Sequence, residues 1–189
     1  MNQTPKGIVK HRQDPLRERY RIAPHEARIV DAAVTVANNA EDPFHCTVAP
    51  GHGYDALLQA GIHRAVGGYH DRPNPGDILC AALASCLHST LQIIAGRLEI
   101  PIVSLGVSVW AEADARGTLL VDRNVPVGFQ KMKCEVRLEP AADVPPQKVT
   151  MLLAAAEHSC VVLQTLRNGV QVQMQPDQAQ SIACESAQL

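Results

Sequence analysis

The chain has 189 residues, 46% of them hydrophobic and 19% charged, with a formal net charge of −2 at pH 7. That composition excludes disorder over most of the length and suits one compact domain with a sizeable core. It also argues against nucleic acid as a partner. There is no global positive field, and one Trp, three Tyr and two Phe leave little on which to stack bases.

Residues 1–25 carry a basic excess (Lys6, Lys10, Arg12, Arg17, Arg19, Arg21) and little apolar material. They read as a solvated or subunit-wrapping arm, with no apolar segment of the kind found in a secretory leader. Residues 28–36 and 44–48 predict two strands; in the second, Phe44, Cys46 and Val48 alternate with His45 and Thr47. Turn residues 38–43 lie between them. Residues 51–74 are rich in Gly, His and Pro and predict a long loop with a short helix at 54–60. Such a loop in a compact domain usually covers a site.

Asn74-Pro75-Gly76-Asp77 is a helix start, with Asn74 as N-cap, Pro75 at N1 and Asp77 at N3. Residues 78–98 continue the helix. Its apolar residues do not keep to one stripe: Leu79, Leu83 and Cys86 share one face, and Cys80, Ala84, Leu87 and Leu91 another. A helix apolar all round is buried all round, and a dimer interface is the economical cover. The stretch 78–95 is of membrane-span length but includes Ser85, His88, Ser89, Thr90 and Gln92, and reads as a buried helix of a soluble protein. Val103, Leu105, Val107, Val109 and Ala111 alternate with polar or small residues and predict a half-buried strand. Residues 129–139 repeat the pattern, and 117–121 predict a short strand between them. Pro145-Pro146 opens a second helix that runs through Cys160 to Arg167, with Gly169 as its C′ residue. Residues 170–174 return as a last strand. The order β-β-α-β-β-α-β defines an α+β fold.

Six cysteines without an export signal imply a reducing, cytoplasmic compartment. A free cysteine is most often a small core hydrophobe. That reading suits Cys46, Cys80, Cys134 and Cys184; for the helical Cys86 and Cys160, spacing leaves core and chemistry both open. No CxxC occurs, and His45, His52, His63 and His70 match no common metal spacing, so no metal is expected. His88 and His158 each lie two residues from a helical cysteine, roughly 200° around the axis, and are poor bases for it. No GxSxG, phosphate-binding loop or dinucleotide fingerprint is present, and no cofactor is expected.

The runs Asn74-Pro75-Gly76-Asp77-Ile78-Leu79-Cys80 through Ala84-Ser85-Cys86-Leu87, and Ala156-Glu157-His158-Ser159-Cys160-Val161-Val162-Leu163 through Leu166-Arg167-Asn168-Gly169, resemble the OsmC/Ohr superfamily. The resemblance covers about residues 28–174, and implies an OsmC-like domain at 26–175 between an arm at 1–25 and a tail at 176–189. It implies antiparallel sheets wrapped around two long central cysteine-bearing helices, in an intertwined homodimer. It also implies a thiol peroxidase of oxidative-stress defence that reduces organic hydroperoxides. Cys86 would attack as the thiolate and become a sulfenic acid, and Cys160 would condense with it to a disulfide. An external dithiol, such as a lipoyl protein, would restore the pair.

The thiolate needs a cation, for which Arg28, Arg64 and Arg72 are the candidates. The best-known relatives carry a glutamate directly after the Asn-Pro, paired with an arginine of the N-terminal hairpin. Here that position is Gly76. The adjacent Asp77 is open to two roles, that carboxylate's or the capping box's. Two other classes stay open. One is a relative that binds a small apolar ligand without peroxidase activity; the other uses the thiols for metal or persulfide chemistry. Neither a membrane nor a nucleic acid is expected as a partner.

Overall fold

The computed structural model describes residues 7–36, 41–51 and 53–175. Residues 38–40 of the expected turn, His52, and the 176–189 tail with Cys184 lie outside the described residues. The first element is a helix, α1 (Ile8–Ile22), where composition had suggested only an arm. Three short strands follow: β1 (Ala33–Thr35), β2 (His45–Pro50) and β3 (Leu58–Gly61). They form one antiparallel sheet in chain order, with Thr35 opposite Val48 and His45 opposite Gly61. The helix expected at 54–60 does not form. Leu58 to Gly61 instead pair with Val48 to His45, and strand pairing overrides a weak local helical signal. The strand expected at 28–36 narrows to β1.

Helix α2 (Pro75–Leu98) begins as the sequence predicts. The Asn74 carboxamide oxygen accepts the N–H groups of Gly76 and Asp77 at 2.8 and 3.3 Å, and Asp77 Oδ2 accepts the Asn74 N–H at 2.9 Å. This reciprocal cap satisfies donors that the first turn leaves free. Within one chain only one stripe of α2 is buried, formed by Leu83, Leu87, Leu91 and Ala95. The rest of its apolar circumference is uncovered or partly covered. α1 packs on the far end of α2. Arg97 pairs with Asp14 at 2.9 Å and bonds Gln13 at 3.2 Å, Lys10 pairs with Glu99, and Val9 lies where a Cβ on Gly96 would sit.

β4 (Ile102–Ala113) and β5 (Phe129–Pro140) form a long antiparallel ribbon, with Val107 opposite Val136 and Val109 opposite Cys134. Met132, Cys134, Val136 and Leu138 turn inward against the α2 stripe, as their alternation predicts. No strand forms at 117–121. The chain makes a helical turn, α3 (Ala115–Thr118), capped by Asp114, whose carboxylate accepts the Arg116 N–H. Gly117 is buried so closely against this connection that a Cβ would lie 2.6 Å from the Val125 carbonyl oxygen.

The second long helix is two helices. α4 (Pro146–Ser159) stops at Cys160, and α5 (Val161–Asn168) leaves at 61°. Cys160 is extended there, at φ −74° and ψ 109°; its N–H completes α4 and its carbonyl starts α5. The bend lets α5 lay Val162 and Leu163 on the core. Two contacts cross it: Gln164 Nε2 donates to the Glu157 carbonyl at 2.8 Å, and Arg167 pairs with Glu157 at 2.7 Å. Residues 170–174 join no ladder, and Val170, Val172 and Met174 stand 69%, 82% and 98% exposed. The alternation that predicts a strand there finds no edge within one chain.

Candidate functional site

The fold brings Cys86 and Cys160 together. Cys86 lies at the middle of α2 and Cys160 at the α4–α5 bend, and their sulfurs are 3.4 Å apart. A disulfide bond is about 2.05 Å, so about 1.4 Å of movement would close one. Cys160 is fully buried within the main apolar cluster, while Cys86 is half-buried at its margin. Burial pushes the Cys160 thiol up, and the Cys86 sulfur beside it adds to the effect. The N–H groups of Leu163 and Val162, at the start of α5, act in the opposite direction. In this contact the Cys160 thiol donates to the Cys86 sulfur.

The remaining candidates are spread elsewhere. Asp77 makes the hydrogen bonds of the cap, to the Asn74 backbone N–H and to its side-chain amide. Nine residues of helix put it about 13 Å from Cys86 along the axis. Arg28 and Arg64 are exposed and Arg72 half-buried. Among the described residues, none of the three hydrogen-bonds either cysteine or Asp77. Gly76 has a physical reason to lack a side chain: a Cβ would lie 2.9 Å from both the Phe129 ring and the Asn74 oxygen. Phe129 occupies the space in which a side chain at position 76 would begin. Burial raises the Cys80 and Cys134 thiols, with the Asp77 charge adding to the shift at Cys80. Both suit packing roles, since an uncharged thiol is a poor nucleophile.

Two cavities flank α2. One, of about 650 Å³, lies between the Leu83–Leu87–Leu91 stripe and β5, with Leu163 and the Glu157–Arg167 pair at its margin. The other, of about 600 Å³, lies over the α2 N-terminus and includes His63, Asp77, Cys80 and Trp110. Phe129 borders both. Among the described residues, no group of three or more His, Cys, Asp or Glu side chains is arranged to hold a metal ion. Sequence reasoning missed a cluster around His45, whose partners Asp42 and Asp71 stand 3 and 26 residues away. Only the His45–Asp42 spacing was open to a local reading.

An α+β chain that sets one cysteine of a long capped helix against another at a helix break belongs to a recognisable class. The OsmC-like protein family model matches residues 68–175, more than half the length, and the chain belongs to that family. Solved structures agree on the fold. An OsmC-like protein from Mycoplasma pneumoniae superposes with a TM-score of 0.58 at 13% identity, over 75% of this chain and 89% of that one. An organic hydroperoxide resistance protein from Elizabethkingia anophelis gives 0.56 at 16% identity, over 78% and 94%. An organic hydroperoxide resistance protein from Legionella pneumophila gives 0.53 at 18% identity, over 78% and 96%. A search of curated proteins found no sequence match. By length and composition alone α2 could span a membrane. In this fold it is the helix on which the β4–β5 ribbon, α4 and α5 pack.

Proposed function

We propose that the protein is a thiol-dependent peroxidase that reduces organic hydroperoxides, with Cys86 as nucleophile and Cys160 as resolving thiol. The 3.4 Å separation of the two sulfurs carries this reading. The Cys86 thiolate takes the terminal peroxide oxygen, the O–O bond breaks, and the alkoxide leaves as the alcohol after gaining a proton. The Cys86 sulfenic acid then meets the Cys160 sulfur; an S–S bond forms and the hydroxyl leaves as water with the Cys160 proton. An external dithiol, such as a lipoyl group, returns both thiols by exchange. The inner position of Cys160 keeps the resolving thiol protonated until the sulfenic acid forms beside it.

The working unit in this reading is a homodimer. The uncovered apolar sides of α2 and the exposed Val170, Val172 and Met174 are surfaces that a second copy would cover. That copy would also bring another Arg28, Arg64 and Arg72 to the thiol pair, one of which supplies the cation. Asp77 serves as the cap of α2 and takes no part in the chemistry. A second reading, a binding protein for a small apolar ligand, draws on the 650 Å³ cavity, whose lining contains neither Cys86 nor Cys160. Thiol counting separates the two. After one equivalent of cumene hydroperoxide per chain, the peroxidase loses two titratable thiols, and dihydrolipoamide restores them. A binding protein retains all of its thiols.

A further inference from the structure

Away from the thiols, three side chains form a hydrogen-bonded bridge. His45 opens β2 opposite Gly61 of β3. Its Nδ1 lies 2.7 Å from Asp42 Oδ2, and its Nε2 lies 3.1 Å from each oxygen of Asp71. The His45 ring stacks on Tyr69, with centroids 5.7 Å apart and planes at 19°, and Tyr69 meets Phe44 edge-on at 5.3 Å. The His45 side chain is only 18% exposed. Asp42 is fixed from its own side, since its Oδ1 accepts the Phe44 N–H at 3.0 Å.

Asp71 belongs to a different segment. Residues 62–73 loop away from β3 and return across it, where the Gly61 N–H donates to the Pro73 carbonyl at 3.0 Å. A Cβ on Gly61 would lie 3.2 Å from Arg72 Cβ and 3.3 Å from Asp71 Oδ1, so this close crossing uses the glycine. The segment holds His70 at φ 57°, a conformation unfavourable for a residue with a Cβ. It also carries His63, Ala65 and Val66, which wall the cavity over the α2 N-terminus.

Proton counting makes the bridge conditional. An ionised carboxylate only accepts, and a neutral imidazole offers one N–H and one lone pair. Both His45 contacts are hydrogen bonds only when both ring nitrogens carry protons. With a neutral ring, one lone pair faces a carboxylate. The other titratable or charged groups on the elements packed here are Glu41, Cys46, His63, Arg64, Tyr69, His70 and Arg72, and Arg72 helps to keep Asp71 ionised.

We propose that Asp42, His45 and Asp71 form a proton-dependent latch that fastens segment 62–73 to the β1–β3 sheet, closed while His45 is an imidazolium and released when it is neutral. The Asp42 hydrogen bond, followed by that of Asp71, holds the His45 pKa above its ordinary value, and both carboxylates are lowered in return. In the released segment His45 loses the Asp71 bond and keeps that of Asp42, so its pKa lies below the latched value and above the ordinary one. The latch's contribution is therefore fully present below the released value and is lost as pH rises through the latched one.

The test combines the NMR titration of the His45 Cε1–H with amide hydrogen exchange of residues 62–73 across the same pH range. After correction for the intrinsic exchange rate, protection is expected to fall by up to about tenfold per pH unit as pH approaches the His45 midpoint from below and to level off above it. In Asp71→Asn the amide can donate to a neutral ring, so the midpoint moves down and the slope in protection disappears. Asp42→Asn should act in the same direction. Unchanged protection of the Leu83–Leu91 amides of α2 reports that each variant is folded, and the wild-type curves decide the matter if neither is. Protection that does not vary with pH, a His45 midpoint at or below about 6.5, or an unchanged slope in folded Asp71→Asn overturns the latch.

Discussion

The two sulfurs at the centre of the site are distinguished by their surroundings, and so are the expected effects of replacing them. Cys86→Ser should abolish peroxide consumption, because a hydroxyl is not ionised at neutral pH and is a far weaker nucleophile. Cys160→Ser should allow one turnover and leave on Cys86 a sulfenic acid that dimedone traps and excess peroxide over-oxidises. Intact-mass measurements on both variants check this. Cys80→Ser and Cys134→Ser should keep the reaction, since burial holds both thiols uncharged. At Gly76 the contact is steric. Gly76→Ala pushes a methyl group against Phe129 and should destabilise the fold by about 1–3 kcal/mol, read from the urea midpoint. Phe129→Ala in the same chain should relieve part of that cost. Recovery would show that the ring, rather than the helix start, excludes the side chain.

At the scale of elements, what the sequence made legible was what local chemistry controls. Asn74, Pro75 and Asp77 mark the start of α2, and the alternation of Met132, Cys134, Val136 and Leu138 marks the inner face of β5. Both stand as expected. Missed elements were those decided by distant partners. Leu58–Gly61 becomes a strand because β2 offers an edge, and residues 117–121 turn because Gly117 fits under Val125 and Pro126. The bend at Cys160 has no Pro or Gly to announce it. It follows from laying α5 on the core, with Glu157 holding Gln164 and Arg167 across it. The helix α1 was hidden by its charge; its docking depends on Gly96, Arg97 and Glu99, more than seventy residues away. The thiol pair was implied by family resemblance, while Phe129 over Gly76 was not legible at all. Leu91→Ala should cost about 2–5 kcal/mol, because Leu91 is fully enclosed between α2 and its neighbours, whereas Leu98→Ala, at an exposed end, should cost far less. Denaturant melts of the two variants test whether the α2 stripe is the core.

For the whole molecule, the single chain leaves more apolar surface open than its composition would lead one to expect. Outside its buried stripe α2 is half-buried or exposed, with Ile93 and Leu98 open, and the side chains of Val170, Val172 and Met174 face outward. Sedimentation should give about twice the 20.4 kDa of one chain, with an interface in the obligate range above about 2,000 Å². Val172→Asp with Met174→Asp should shift the equilibrium toward the monomer. A monomeric wild type at micromolar concentration would contradict the shared-core account, and would leave the cation for Cys86 to be found within one chain.

If Cys86 and Cys160 act as a redox pair, one equivalent of organic hydroperoxide joins them in a disulfide that peptide mapping identifies. The protein is treated, alkylated under denaturing conditions, digested and analysed by mass spectrometry. One dominant cross-linked species joining the Cys86 and Cys160 peptides is expected, removed by dihydrolipoamide, with Cys46, Cys80 and Cys134 recovered alkylated. Recovery of Cys86 and Cys160 as free thiols, or a bond from Cys86 to Cys80 or Cys134 in place of Cys160, would contradict it.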